Sequence, residues 1–363
     1  MEEGLIVMAN FELEDTTAEQ KAKIKVIGVG GAGGNAVNTM IERGLAGVDF
    51  IVTNTDTQDL KKSRSSTKLQ IGSRSTKGLG SGGNPELGRE AALEDQTKIA
   101  EVLEGADMVF ITAGMGGGTG TGASPIVAQA SREMGVLTVG VVTRPFGFEG
   151  PRRNKQAMQG IENLEREVDT LIIIPNDRLT AVQKISILEA FKRADEVLYQ
   201  AVRGISDIIT GTGYINVDFA DVKAIMGENG GKALMGTGYA EGNNRGIEAA
   251  ETAITSPLLE DISIDGARGI LLNVTASPDF GIEELNQACN YIKDRAHEDV
   301  NLIFGLVFDE AMKNSVRITV IATGIQGSKE SIRKIVTQIP ADAVSDEFEI
   351  PAFIRRRGIK EGK

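Results

Sequence analysis

The chain has 363 residues, 41% hydrophobic and 25% charged, with a formal net charge of −12. That balance suits a globular protein of two domains plus tails and excludes a basic face for binding nucleic acid. No apolar run approaches the ~20 residues that span a bilayer, so a cytoplasmic chain without direct membrane insertion is expected. The single cysteine, Cys289, excludes an internal disulfide, and the single histidine, His297, excludes His-cluster metal sites and a Ser-His-Asp triad. Chemistry is left to carboxylates, backbone amides, arginine and an oxygen-bound cation.

Residues 1–22 read as a loose acidic arm. From Lys23, apolar periodicity predicts strand Lys25–Val29, helix Asn35–Arg43 ended by Gly44, and strands Val48–Thr53 and Lys68–Ile71. One helix over Pro85–Leu103, strand Met108–Ala113 and a helix over Ser124–Met134 follow, the last with Pro125 in its first turn. Strand Val136–Thr143, helix Glu149–Glu167 and strand Thr170–Ile174 complete the alternation. The pattern predicts an α/β fold with a doubly wound, parallel sheet covered on both faces, whose ligands lie outside the strands' carboxyl ends. Ser186–Ile209 carries one wide apolar stripe and predicts a helix ~36 Å long. Beyond it, helices at Asp218–Met226, Asn244–Thr255 and Ile282–Ala296 alternate with strands Gly269–Ala276, Leu302–Phe308 and Val316–Thr323. They predict a smaller α+β domain. Cys289 falls on an apolar helical face and reads as a buried thiol, and His297 as a cap at that helix's end.

Two glycine loops carry chemistry. Gly116-Gly-Gly-Thr-Gly-Thr-Gly122 follows an apolar strand and precedes a helix, which suits a backbone nest for phosphate. Gly28-Val-Gly-Gly-Ala-Gly33 matches G-x-G-x-x-G, and Asp56 supplies an acidic ribose partner at dinucleotide spacing. Alone, that motif reads as an NAD-dependent dehydrogenase. The second loop, which such a fold does not require, favours a mononucleotide triphosphate held from both sides.

The residues resemble the FtsZ family, the bacterial tubulin-like cell-division GTPases, from about Lys23 to Gly324. The resemblance rests above all on Gly116–Gly122 and Asn216-Val-Asp-Phe-Ala-Asp221, set about 100 residues apart around the long helix. Asn54-Thr-Asp56, Pro145-Phe-Gly-Phe-Glu-Gly150 and Ser256-Pro-Leu-Leu259 also read as in that family. It implies a GTP-binding domain at 23–185, a central helix at 186–213, an α+β domain at 214–325, and a linker with a partner-binding peptide at 326–363.

The resemblance also implies roles. Gly31, Ala32, Gly33, Gly34 and Asn35, with Gly118, Thr119 and Gly120, would contact phosphates. Glu149 and Arg153 would hold the ribose and phosphate side, and Asn176 the sugar or base edge. Phe191 would stack on guanine, and Asp195 would accept its N1 and N2 hydrogens. From the residues alone, Phe191 reads as core, Arg153 as a solvated turn and Asp195 as an exposed helical carboxylate. Ala32 stands where many relatives carry glycine, which is tolerable at negative φ.

Asp218 and Asp221, three apart, read locally as helix capping. Yet their loop lies past the far end of a helix whose beginning would hold the base. The resemblance therefore implies that Asn216, Asp218 and Asp221 complete the site of the next subunit in a head-to-tail filament. GTP and GDP are the implied ligands, with Mg²⁺ bound through the phosphates and no assigned protein ligand. Ile350-Pro-Ala-Phe-Ile-Arg-Arg-Arg357 would dock membrane-tethering division partners, placing the chain at the midcell ring. The alternative is a structural filament protein that uses nucleotide as a clamp with little hydrolysis.

Overall fold

A strand covered on both faces must be apolar nearly throughout, and β1 (Ile24–Val29) and β4 (Met108–Gly114) are buried at almost every position. Their side chains alternate between two cores: Val26 and Phe110 enter one, Ile27 and Ile111 the other. The computed structural model describes residues 22–180, 185–210, 213–228, 231–259 and 264–325. Residues 1–21 of the acidic arm, the linker and the Ile350–Arg357 peptide lie outside the described residues.

After β1 come α1 (Gly30–Glu42), β2 (Val48–Asn54), α2 (Thr57–Lys62), β3 (Thr67–Gln70), α3 (Pro85–Glu94) and α4 (Gln96–Leu103). β4 is followed by α5 (Thr119–Glu133), β5 (Leu137–Arg144), α6 (Pro151–Glu165), β6 (Thr170–Pro175) and α7 (Asn176–Thr180). The long α8 (Ile187–Ile209) leads to α9 (Phe219–Lys223), β7 (Gly231–Glu241) and α10 (Arg245–Ile254). Last come β8 (Gly269–Ala276), α11 (Ile282–Lys293), β9 (Asn301–Phe308) and β10 (Ser315–Thr323).

The strands lie in the order β3-β2-β1-β4-β5-β6-β7-β10-β8-β9, with β3 through β6 all parallel. β7 joins the two parts: Gly231–Ala233 pair parallel with β6, while Leu234–Glu241 pair antiparallel with β10. α1 and α8 cover one face of the parallel strands through Val37, Met40, Leu198, Val202 and Ile205. α5 and α6 cover the other through Val127, Ile161 and Leu164. A third core lies under the β8–β10 strands.

The structure departs from expectation where tertiary packing overrides local signals. α1 starts at Gly30, not Asn35, and α5 at Thr119, not Ser124, so Pro125 lies inside its helix. Close packing explains glycine within this helix: a Cβ at Gly122 would lie 1.9 Å from the Pro85 carbonyl oxygen. The single helix expected over 85–103 is two, parted at Asp95, whose buried carboxylate accepts from Gly72 N–H at 2.8 Å and pairs with Lys98. Glu149 falls in a short 3-10 turn before α6, because Gly150 takes φ 96°. α9 passes into a π turn at Ala224–Glu228. α11 ends at Lys293, and His297 lies beyond it, its Nδ1 accepting from Asp299 N–H. Cys289 is half-buried, and burial raises its thiol pKa.

Candidate functional site

The site begins where two backbones touch. β1 ends at Val29, and Gly30 turns into α1 with φ 73°, where a Cβ would lie 2.9 Å from the Gly120 nitrogen. Neither α1 nor α5 has a side-chain N-cap, so both present free N–H groups at the carboxyl ends of neighbouring strands. Two helix dipoles and two sets of amides converge there, an arrangement suited to phosphate. Ala32 sits within α1 and is absent from the positive-φ residues; its methyl lies against Gly114.

Thr119 opens α5 with its hydroxyl held between two others. Thr55 Oγ lies at 2.7 Å and Ser81 Oγ at 3.0 Å, all three groups buried. Sequence reasoning missed Ser81, because a serine in a glycine-rich loop carries no signal of its own. Asp56, read as a ribose partner, instead caps α2 by accepting from Gln58 N–H at 2.8 Å. Arg153 packs its backbone and stem against Gly116, and its guanidinium pairs with Glu149 at 3.1 Å. The other Glu149 oxygen accepts from Phe146 N–H.

Asn176, Phe191 and Asp195 form the β6 end of the site. Asn176 opens α7 and is 5% exposed, and its Oδ1 has no hydrogen-bond partner among the described residues. A buried acceptor left open is costly unless a ligand supplies a donor. Phe191 is 42% exposed rather than core, with Phe146 edge-on at 5.3 Å and Phe148 stacked on Phe146. Asp195 is half-buried without an ion pair or hydrogen bond among the described residues. Burial pushes its pKa up to about 7.

Asn216, Asp218 and Asp221 are not brought to this end. All three are exposed: Asn216 Oδ1 accepts from Gly213 N–H, and Asp218 caps α9 through Ala220 N–H at 3.1 Å. α8, 23 residues long, carries the chain ~34 Å from the nucleotide end. Its last turn reaches the amino ends of the strands, where Thr210 lies against Gly47 and Thr170 donates to the Met226 carbonyl. The glycine loops and this acidic loop therefore occupy opposite poles of the parallel sheet.

The comparisons agree with this geometry. A sequence model of the Tubulin/FtsZ family, GTPase domain, matches residues 23–184, and one of the FtsZ family, C-terminal domain, matches 231–326. Cell division protein FtsZ of Pseudomonas aeruginosa is 56% identical over 328 residues, spanning 90% of this chain and 83% of its own length. The chain belongs to the FtsZ family. Cell division protein FtsZ of Azotobacter vinelandii is 52% identical over 345 residues, covering 94% of this chain and 87% of its own. An empty FtsZ dimer of M. jannaschii superposes with a TM-score of 0.82 at 45% identity, covering 85% of this chain and 90% of that one. CetZ2 of Haloferax volcanii shares the fold alone, at a TM-score of 0.73 and 24% identity. The FtsZ match decides the reading left open by G-x-G-x-x-G: the chain is a tubulin-like GTPase that binds guanine nucleotide, not a dehydrogenase.

Proposed function

We propose that this FtsZ polymerises head to tail and hydrolyses GTP in sites shared between successive subunits. The observation that carries the reading is the separation of the two loops. Gly116–Gly122 lies at the carboxyl pole of the sheet and Asn216–Asp221 at the amino pole, so one subunit cannot supply both. A heterologous contact that does not close gives a filament, and each interface in it joins one pole to the other.

Phosphates would be held by the amides of Gly31–Asn35 and Gly118–Gly120 and by Thr119. Arg153, paired with Glu149, would face the ribose and phosphate side, and Asn176, Phe191 and Asp195 the base. Asp218 and Asp221 of the next subunit, with Asn216, would orient the attacking water, since phosphoryl transfer depends mainly on positioning and charge stabilisation. Among the described residues no group of three or more His, Cys, Asp or Glu side chains could hold a metal. Mg²⁺ would be held through the nucleotide phosphates and would neutralise developing charge there. The Ile350–Arg357 peptide, apolar then basic, would dock membrane-tethering partners, giving cytoplasmic filaments a place at the midcell ring.

GTP turnover per chain, measured across protein concentrations with light scattering in parallel, tests this. Specific activity should rise with concentration, and Asp221→Asn should retain GTP binding while losing at least about tenfold in turnover. A flat specific activity, or unchanged phosphate release by that variant, would falsify the shared site.

A further inference from the structure

The outer helical layer carries a second cavity. A groove of about 520 Å³ lies between α3, α5 and α6, floored by Thr121, Gly122 and Pro125 and walled by Arg89, Lys155 and Arg166. That volume is in the range of small-molecule sites. Arg153, Asn176, Phe191 and Asp195, assigned above to the nucleotide, do not line it.

Glycine placement builds the groove. Gly122 admits α3 onto α5, and Gly160 brings α6 so close that a Cβ there would lie 2.4 Å from the Thr121 methyl. Both outer helices thus press on one turn of α5, and their long side chains stand above it as walls.

The walls are unbalanced in charge. Arg89, Lys155 and Arg166 form no ion pair among the described residues, and Glu86 and Glu167, which also line the groove, close on none of them. One positive charge is left over, in a chain whose net charge is −12. Asn84, the N-cap of α3, brings that helix's positive end to the same groove. The floor has the opposite need. Pro125 has no N–H to return to the Thr121 carbonyl, so that oxygen lacks its α-helical donor beside the cavity. An occupant that satisfies both must carry negative charge and a hydrogen-bond donor.

We propose that this groove binds a small organic anion bearing a hydroxyl group. The anionic group would meet the wall cations, and the hydroxyl would donate to the Thr121 carbonyl. Carboxylate and phosphate share this chemistry, and the test separates them.

The experiment is isothermal titration calorimetry on the full chain at constant ionic strength, with GDP in excess so that the phosphate loops are filled. The probes are citrate and glycerol 3-phosphate. Tricarballylate, which is citrate without its hydroxyl, and uncharged glycerol are the controls. At least one hydroxylated anion should bind and glycerol should not; binding by only one of the two names the anionic group. If citrate binds, tricarballylate should be about fivefold weaker, a single hydrogen bond. The double variant Arg89→Gln/Arg166→Gln should weaken the bound probe at least about tenfold. Pro125→Ala, which gives Thr121 its donor back, should erase the preference for citrate over tricarballylate. Absence of heat from both hydroxylated anions, or undiminished binding by the double variant, overturns the proposal.

Discussion

At Asp195, solvation and proposed chemistry pull in opposite directions. Burial favours the neutral acid, with a pKa of about 7, whereas two guanine donors would require the carboxylate. Between 3.8 and about 7 the folded chain holds a proton that the unfolded chain has released, so this group lowers stability as pH rises through that window. Nucleotide binding should release the proton. GTP affinity should therefore fall by up to about tenfold per pH unit below 7. Asp195→Asn should flatten that profile and narrow the preference for guanine over adenine nucleotides; a fluorescent-nucleotide titration across pH reads both. Ser81 invites a second test. With the base at β6 as proposed, the strand order would set the two glycine loops at β4 and β1 next, and then Thr55 and Ser81 on the β2–β3 side, where the last phosphate would reach. Removing one hydroxyl from that group by Ser81→Ala should weaken GTP about fivefold while changing GDP less. Equal losses for both nucleotides would deny Ser81 a role at the terminal phosphate.

Elements differed in how plainly the residues announced them. The parallel strands were legible because continuous Val and Ile runs have few other uses, and α8 was legible from its apolar stripe. β7 was missed altogether. Its Gly-Lys-Ala-Leu-Met-Gly-Thr-Gly run has no valine or isoleucine and holds three glycines. The structure explains two of them: a Cβ at Gly236 or Gly238 would lie 1.9 Å from a carbonyl oxygen of α10. Glycine there is a packing requirement between a strand and a helix, invisible until both are placed. Gly236→Val should accordingly cost about 3 kcal/mol or more in a denaturant melt. The glycine loops were legible as loops at strand ends, but the helical start within each was not, because glycine's low helix propensity hides it and the close backbone packing that calls for glycine there shows only in the fold. Phe191 misled in the other direction. Its spacing follows the core stripe of α8, yet the ring stands at the rim beside Phe146.

In the whole molecule, β7 and α8 bind the nucleotide half to the C-terminal half, since one strand pairs with β6 on one side and β10 on the other and one helix runs from pole to pole. That separation of loops has a genetic consequence. A chain damaged at Asp221 still offers an intact nucleotide pocket, and one damaged at Thr119 still offers an intact acidic loop. On the proposed shared site, neither variant alone would form a complete interface. Mixed in equal parts and assembled at random, about one junction in four would pair the two undamaged surfaces. Two inactive proteins should therefore rescue each other's GTP turnover in the test tube. The same two alleles, expressed together, should complement although neither does so alone.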